Sequence, residues 1–205
     1  VLGSKVMRAD VPLGKAITPV SGGFFKIESN NGLKITDGRN RVSTITSTDI
    51  QASNGVVHLV DKVLLPADKD IVATASALPD FSILVEAVVA AGLVGTLQGT
   101  GPFTVFAPTN AAFAALLTEL GVTKEALLAN TALLTKVLTY HVVPARVLKA
   151  EVPTNTAITT VQGQSFTVST SLVITDQNMR TSNITAADVF TSNGVIHVVD
   201  KVILP

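Results

Sequence analysis

"SNGVVHLVDKVLLP" occupies Ser53–Pro66, and "SNGVIHVVDKVILP" occupies Ser192–Pro205. Aligning Gln51–Pro66 with Phe190–Pro205 gives 11 identities in 16 positions at an offset of 139. The swaps Val57/Ile196 and Leu64/Ile203 keep apolar volume nearly constant. At the same offset "LKITDGRNR" (Leu33–Arg41) matches "LVITDQNMR" (Leu172–Arg180), and "ITSTDI" matches "ITAADV". Farther upstream "KVMRADVP" (Lys5–Pro12) matches "RVLKAEVP" (Arg146–Pro153) at 141, so one loop differs by two residues. Solenoid repeats run roughly 20–50 residues, whereas this period is the size of a domain. The sequence therefore reads as two copies of one domain, and they are unequal. Residues 67–205 hold a complete copy, and residues 1–66 hold only the strand-rich rear half of another. Val1 is no initiator methionine, so the chain is expected to be a piece of something longer.

Hydrophobic residues make up 47% of the chain and charged residues 15%, with a formal net charge of zero. A neutral chain without Lys/Arg clusters lacks the electrostatic footprint of a nucleic-acid binder. The longest apolar run, Ile83–Leu97, is broken by Glu86 and falls short of the roughly 20 residues of a membrane span. Cysteine is absent, which removes disulfides, thiolate catalysis and Cys-type zinc sites together. So low a charge content implies a surface that packs against other molecules.

Within the complete copy, helical spacing is read over Ile71–Ala77 and Phe81–Ala91, with Asp80 as a cap and Gly92 as a stop. "GPFTVFAPT" (Gly101–Thr109) reads as a buried strand. Asn110–Leu120, Lys124–Ala129 and Ala132–Thr139 return to helical spacing, with Gly121 ending the first and Thr123 and Thr131 as caps for the others. From Tyr140 onward the pattern is short strands. Helices followed by strands define an α+β class. Asn193-Gly194 predicts a type I′ hairpin turn. The run after it is apolar on both faces, which predicts a strand covered on both sides. Val1–Pro66 carries strands only, so its sheet is expected to lack a helical cover.

"TVFAPTNAAF" (Thr104–Phe113), "YHVVP" (Tyr140–Pro144) and "NGVIHVVDKVILP" (Asn193–Pro205) resemble, in order and spacing, the three signature stretches of fasciclin (FAS1) domains. The first copy keeps the last of these as "NGVVHLVDKVLLP" (Asn54–Pro66). The resemblance implies a wedge-shaped β-sandwich flanked by short α-helices, in tandem. It also implies a secreted or surface-anchored protein engaged in adhesion or matrix assembly. In animal members an Asp-Ile pair and the Tyr-His stretch are assigned to integrin binding. Carried over, these positions are Asp49 and Ile50, Asp188 with Val189, and Tyr140 with His141. A role as core residues is the alternative for all six.

The three histidines, His58, His141 and His197, each sit among Val, Leu and Ile. Such a ring is expected to set a nitrogen on a backbone carbonyl and pack the rest. No H-x-x-x-H or H-E-x-x-H spacing points to a metal. A Ser/His hydrolase is the enzyme alternative, but there is no G-x-S-x-G elbow, and period-two geometry puts His197 and Asp200 on opposite faces. "GTGPFTV" precedes a strand, whereas a dinucleotide loop follows one. Asp61-Lys62 and Asp200-Lys201 read as strand-end charge pairs, with Asp200 bonding backbone donors within the domain as the alternative. "RAD" (Arg8–Asp10) and "DGR" (Asp37–Arg39) are chance-level attachment tripeptides, and "NIT" (Asn183–Thr185) is a glycosylation acceptor in a eukaryotic source.

The sequence thus predicts a non-enzymatic extracellular module that needs no cofactor or metal. Its partners are proteins, matrix or further copies of itself. The alternative is a polymer subunit in which another chain completes residues 1–66.

Overall fold

A computed structural model describes residues 1–205. The chain divides into two compact units: Val1–Asp68 with Leu148–Glu151, and Lys69–Val147 with Val152–Pro205.

The first unit is a four-stranded antiparallel sheet of β1 (Lys26–Ser29), β2 (Leu33–Thr36), β3 (Val42–Ala52) and β4 (Gly55–Val60), in that spatial order. Its core is small. Ile17, Ile27 and Ile35 are buried, with Leu2, Val11, Phe25, Leu33, Ile45 and Leu64 packed around them. Within Val1–Asp68 the only helical element is the 3-10 turn Arg8–Asp10.

The second unit opens with helices α1 (Ile71–Ser76), α2 (Ser82–Ala90) and α3 (Val94–Leu97), then strand β5 (Phe103–Pro108). Helices α4 (Asn110–Leu120), α5 (Lys124–Ala129) and α6 (Thr131–Tyr140) follow, and strands β6 (Val142–Val143), β7 (Ala157–Thr159), β8 (Ser165–Val168), β9 (Val173–Thr175), β10 (Thr181–Thr191) and β11 (Gly194–Val199) complete it. They form one sheet in the order β6-β5-β11-β10-β9-β8-β7. This is the α+β class expected from the sequence. Strands β10 and β11 carry the bounds of β3 and β4 moved by 139 residues, with register shifts at matching places.

The helix ends follow capping chemistry, not always with the expected residue. Asp70 caps α1 by accepting the Ala73 N–H at 2.7 Å. Thr123 caps α5, and Gly121 ends α4 in the left-handed conformation. Asp80 does not cap α2. It lies in the 3-10 turn Pro79–Phe81, and the α2 N–H of Ile83 goes instead to Asn110 Oδ1 at 3.0 Å, across from α4. Asn130 rather than Thr131 caps α6, accepting from Leu133 N–H. Tyr140 is the last residue of that helix, not the first of a strand.

Two apolar clusters sandwich the sheet. Ile196 and Val202 join the helix-side cluster with Phe113, Leu116 and Leu134. Val199 and Ile203 join the opposite one with Phe106, Tyr140 and Phe166. Strand β11 is therefore covered on both faces, as its unbroken apolar pattern predicts. Leu204 is only half-buried. The β10–β11 hairpin forms, but its loop is Ser192-Asn193, and neither Asn193 nor Gly194 has positive φ, so the turn is not type I′. Gly194 is needed for another reason: β5 runs parallel alongside, and a Cβ there would collide with the Phe103 carbonyl.

Candidate functional site

The longest strand of each copy contains a bulge at an aspartate. Asp49 (φ 60°) interrupts β3 and Asp188 (φ 63°) interrupts β10. Aspartate tolerates this left-handed backbone better than most residues. The kink frees the aspartate N–H from the ladder and aims it at a histidine on the neighbouring strand. Asp188 N–H donates to His197 Nδ1 at 3.2 Å, and Asp49 N–H donates to His58 Nδ1 at 3.4 Å. Because Nδ1 accepts, Nε2 carries the proton in each ring. His197 Nε2–H donates to the Val147 carbonyl at 2.8 Å, and His58 Nε2–H to the Val6 carbonyl at 2.9 Å. In the first unit the Asp49 carboxylate also accepts the Arg8 N–H at 2.8 Å.

His141 uses the opposite tautomer. Its Nδ1–H donates to the Val137 carbonyl at 2.8 Å, and Nε2 accepts the Ile203 N–H at 3.1 Å. The ring is buried, and burial depresses its pKa to about 4, against smaller opposing effects of the Val137 carbonyl and Asp176. Tyr140 beside it is fully buried, and its hydroxyl donates to the Ser165 carbonyl at 3.0 Å. Burial pushes that hydroxyl up to about 12.

The six sequence-nominated residues thus do not form one surface. Tyr140, His141 and Asp188 are buried, Val189 and Asp49 are half-buried, and Ile50 is exposed. Asp49, Asp188, Tyr140 and His141 instead bond side-chain or backbone groups of their own unit, while Ile50 and Val189 pair across their hairpins. Both nitrogens of all three histidines are engaged by main-chain groups, so none offers a lone pair or proton to a substrate. An apolar cavity of about 50 Å³ lies among Ile71, Leu84, Val88, Leu97, Val105 and Ile196. It lacks the convergent polar groups that orient a substrate.

Sequence reading missed most of a second polar frame, written in both copies; only the backbone bonding of Asp200 was among its alternatives. Buried Asp37 closes the β2–β3 turn by accepting the N–H groups of Arg39 and Arg41, each at 3.0 Å. It also accepts the Arg41 side chain (2.8 Å) and the Leu65 N–H (3.0 Å). Burial alone would raise its pKa, but the Leu65 N–H, the Arg41 guanidinium and the two turn N–H groups together hold it below the ordinary aspartate value. Asp176 repeats the arrangement with the N–H groups of Asn178, Arg180 and Leu204, each at 2.9 Å. Asp61 and Asp200 close the other side. Each accepts a buried serine hydroxyl, Ser43 or Ser182, and the next residue's N–H at 2.7 Å. These are backbone-binding carboxylates rather than pairs with Lys62 and Lys201. Asn183 is exposed, and its amide donates to Asp200 Oδ2 at 2.7 Å. The "DGR" tripeptide lies in the Asp37 turn with its aspartate buried. The missed signal was a Thr-Asp pair with arginine four residues on, present in both copies. Asp176→Ala leaves three N–H groups without their acceptor and is expected to lower stability by about 2 kcal/mol. Urea unfolding followed by the fluorescence of Tyr140, the chain's single tyrosine, measures this.

This fold has known counterparts. The FAS1 domain pair from the insect cell adhesion molecule fasciclin I superposes with a TM-score of 0.61 at 20% identity, covering 89% of this chain and 67% of that one. The chain belongs to the fasciclin domain family: the family model described as the fasciclin domain matches residues 1–66 and 79–205. Among its relatives, protein sll1483 of Synechocystis sp. is 46% identical over 138 residues, 66% of this chain and 73% of that protein. Transforming growth factor-beta-induced protein ig-h3 of Sus scrofa is 28% identical over 210 residues, 98% of this chain but 29% of that protein. No helix is long and apolar enough to cross a membrane.

Proposed function

We propose that this chain is a non-enzymatic adhesion or assembly module of the extracellular space or cell surface, acting through contacts with proteins or matrix. The observation that carries the reading is the family membership, joined to a fold shared with the insect cell adhesion molecule fasciclin I. The engagement of every histidine by the backbone supports it, because the groups best suited to acid–base chemistry serve the fold instead. We further propose that residues 1–66 are the rear half of one fasciclin domain and residues 67–205 a complete second one.

On this proposal Asp49, Ile50, Tyr140, His141, Asp188 and Val189 act through the shape of the sheet rather than by touching a partner. Beads coated with the chain are expected to attach to a matrix layer, to cells or to one another, and beads carrying heat-unfolded chain are not. Asp188→Gly keeps the left-handed backbone and removes the carboxylate, so attachment should stay within about twofold. A chain that attaches to none of these surfaces overturns the adhesion reading. A loss beyond about tenfold in Asp188→Gly with the fold intact would make that carboxylate a direct contact.

A further inference from the structure

Asn-Gly occurs three times in the chain, at Asn31-Gly32, Asn54-Gly55 and Asn193-Gly194. The pair is chemically labile, because glycine has no Cβ to block the approach of its backbone nitrogen to the asparagine side-chain amide. The folded structure decides whether that approach takes place. In the second unit both groups are held. The Asn193 side chain accepts from the Ile71 N–H at 3.1 Å and donates to the Leu97 and Gly99 carbonyls at 2.8 Å each. Gly194 is buried in the sheet, paired with Thr191 of β10 and Phe103 of β5.

Asn31-Gly32 stands in the opposite situation. Asn30, Asn31 and Gly32 form the loop beyond the last β1–β2 pair, Ser29 with Leu33, and all three are exposed. No hydrogen bond holds the Asn31 amide or the Gly32 N–H. Asn31 (φ 51°) and Gly32 (φ 99°) both have positive φ, and a Cβ built on Gly32 would meet nothing within 4 Å. This exposure is a property of the hairpin itself. In the second unit, where helices cover the sheet, the corresponding loop Ser169–Ser171 also turns Thr170 and Ser171 to solvent. The two copies differ in length here. Ile27 pairs with Ile35 and the matching Val168 with Ile174, so the first copy's loop is two residues longer, and this longer loop carries the Asn-Gly pair.

We propose that Asn31 is a site of spontaneous deamidation in the folded chain and that Asn193 is protected from it. The Gly32 nitrogen gives its proton to solvent base and attacks Asn31 Cγ. A bond forms between them, the Cγ–Nδ2 bond breaks, and the side-chain nitrogen leaves as ammonia with a proton taken back from water. Water then opens the cyclic imide at either carbonyl. Opening at Cγ gives aspartate; opening at the Asn31 backbone carbonyl gives isoaspartate, whose main chain runs through Cβ. The net change is one water consumed and one ammonia released. The extra main-chain carbon falls in the loop, outside the ladder of Lys26–Ser29 with Leu33–Thr36, so the hairpin survives it. A chain of zero formal charge gains one negative charge, which opposes self-association.

The test incubates the chain folded in mildly alkaline buffer, and in parallel unfolded in urea, then maps tryptic peptides by mass spectrometry. Ile27–Lys34 reports Asn31 and Thr181–Lys201 reports Asn193, with fragment ions assigning the site; Asn54 lies in a third peptide and stays out of the comparison. In the folded chain Asn31 is expected to react at least about tenfold faster than Asn193, and in urea the two rates should agree within about twofold. Both aspartate and isoaspartate are expected at Asn31, the mark of the imide route. Asn31→Gln should leave Ile27–Lys34 unreacted over the same period. Equal rates for Asn31 and Asn193 in the folded chain overturn the proposal. So does an Asn31 rate more than about tenfold slower folded than in urea, which would show that the loop keeps the reacting groups apart. Aspartate as the sole product would overturn the imide route, and an undiminished reaction in Asn31→Gln would assign the site to Asn30 instead.

Discussion

Acidification from about pH 7 to about pH 4 is expected to cost the second unit about 3 kcal/mol of stability through His141 alone. The ring titrates at about 4 in the folded chain, against an ordinary value of 6.5. Below 6.5 the unfolded chain binds a proton that the folded chain refuses, so stability falls with pH and the loss is complete near 4. The cause is structural. The ring is dry, and a proton on Nε2 would face the Ile203 N–H that this nitrogen now accepts. The lowered carboxylates, Asp37, Asp61 and Asp200, titrate below their ordinary 3.8 and add their losses under that window. Unfolding free energies from urea titrations at several pH values, read by Tyr140 fluorescence, give the slope. His141→Gln starts from lower stability, and its curve should be flatter over this range. Parallel curves for the two proteins would show that His141 does not supply the pH dependence.

Phe106→Ala should destabilise the second unit by about 3–5 kcal/mol. The ring is buried, edge-on to Phe166 at 5.0 Å and tilted against His197 at 5.3 Å, so truncation opens a void that well-packed neighbours cannot close. It also loosens the histidine that holds the Asp188 bulge. Phe106→Leu restores most of the volume and should cost about 1 kcal/mol. Equal losses for Ala and Leu would mean that ring geometry rather than volume is what matters. A loss under about 1 kcal/mol for Ala would mean that the cluster collapses around the gap.

The repeat and the doubly apolar closing strand made most of the architecture readable before any coordinates. They are long-range signals that a single physical demand, burial on both faces, writes plainly into sequence. Local signals were read with less success where tertiary contacts overrode them. Gly194 looked like a turn glycine, yet it is selected by a strand about 90 residues away in sequence. Asp80 had the right chemistry and position to cap α2, but Asn110 reached across from α4 and took the N–H. Tyr140 looked like strand sequence because it precedes two valines, although helix α6 runs through it. The buried carboxylates were the hardest to see. Asp37 and Asp176 resemble ordinary turn aspartates until the Leu65 and Leu204 N–H groups, far along the chain, are brought to them. For the same reason His141 and His197 could be placed in the core from their neighbours, while His58 is only half-buried, and the partner of each nitrogen could not be read.

The Asp176 turn has a mechanical consequence. It grips the residue just before Pro205, while β11 is flanked by β5 on one side and β10 on the other. A force applied at Pro205 along the strand loads the Leu204 bond, the Lys201–Ser182 bond and two ladders together, in shear rather than one rung at a time.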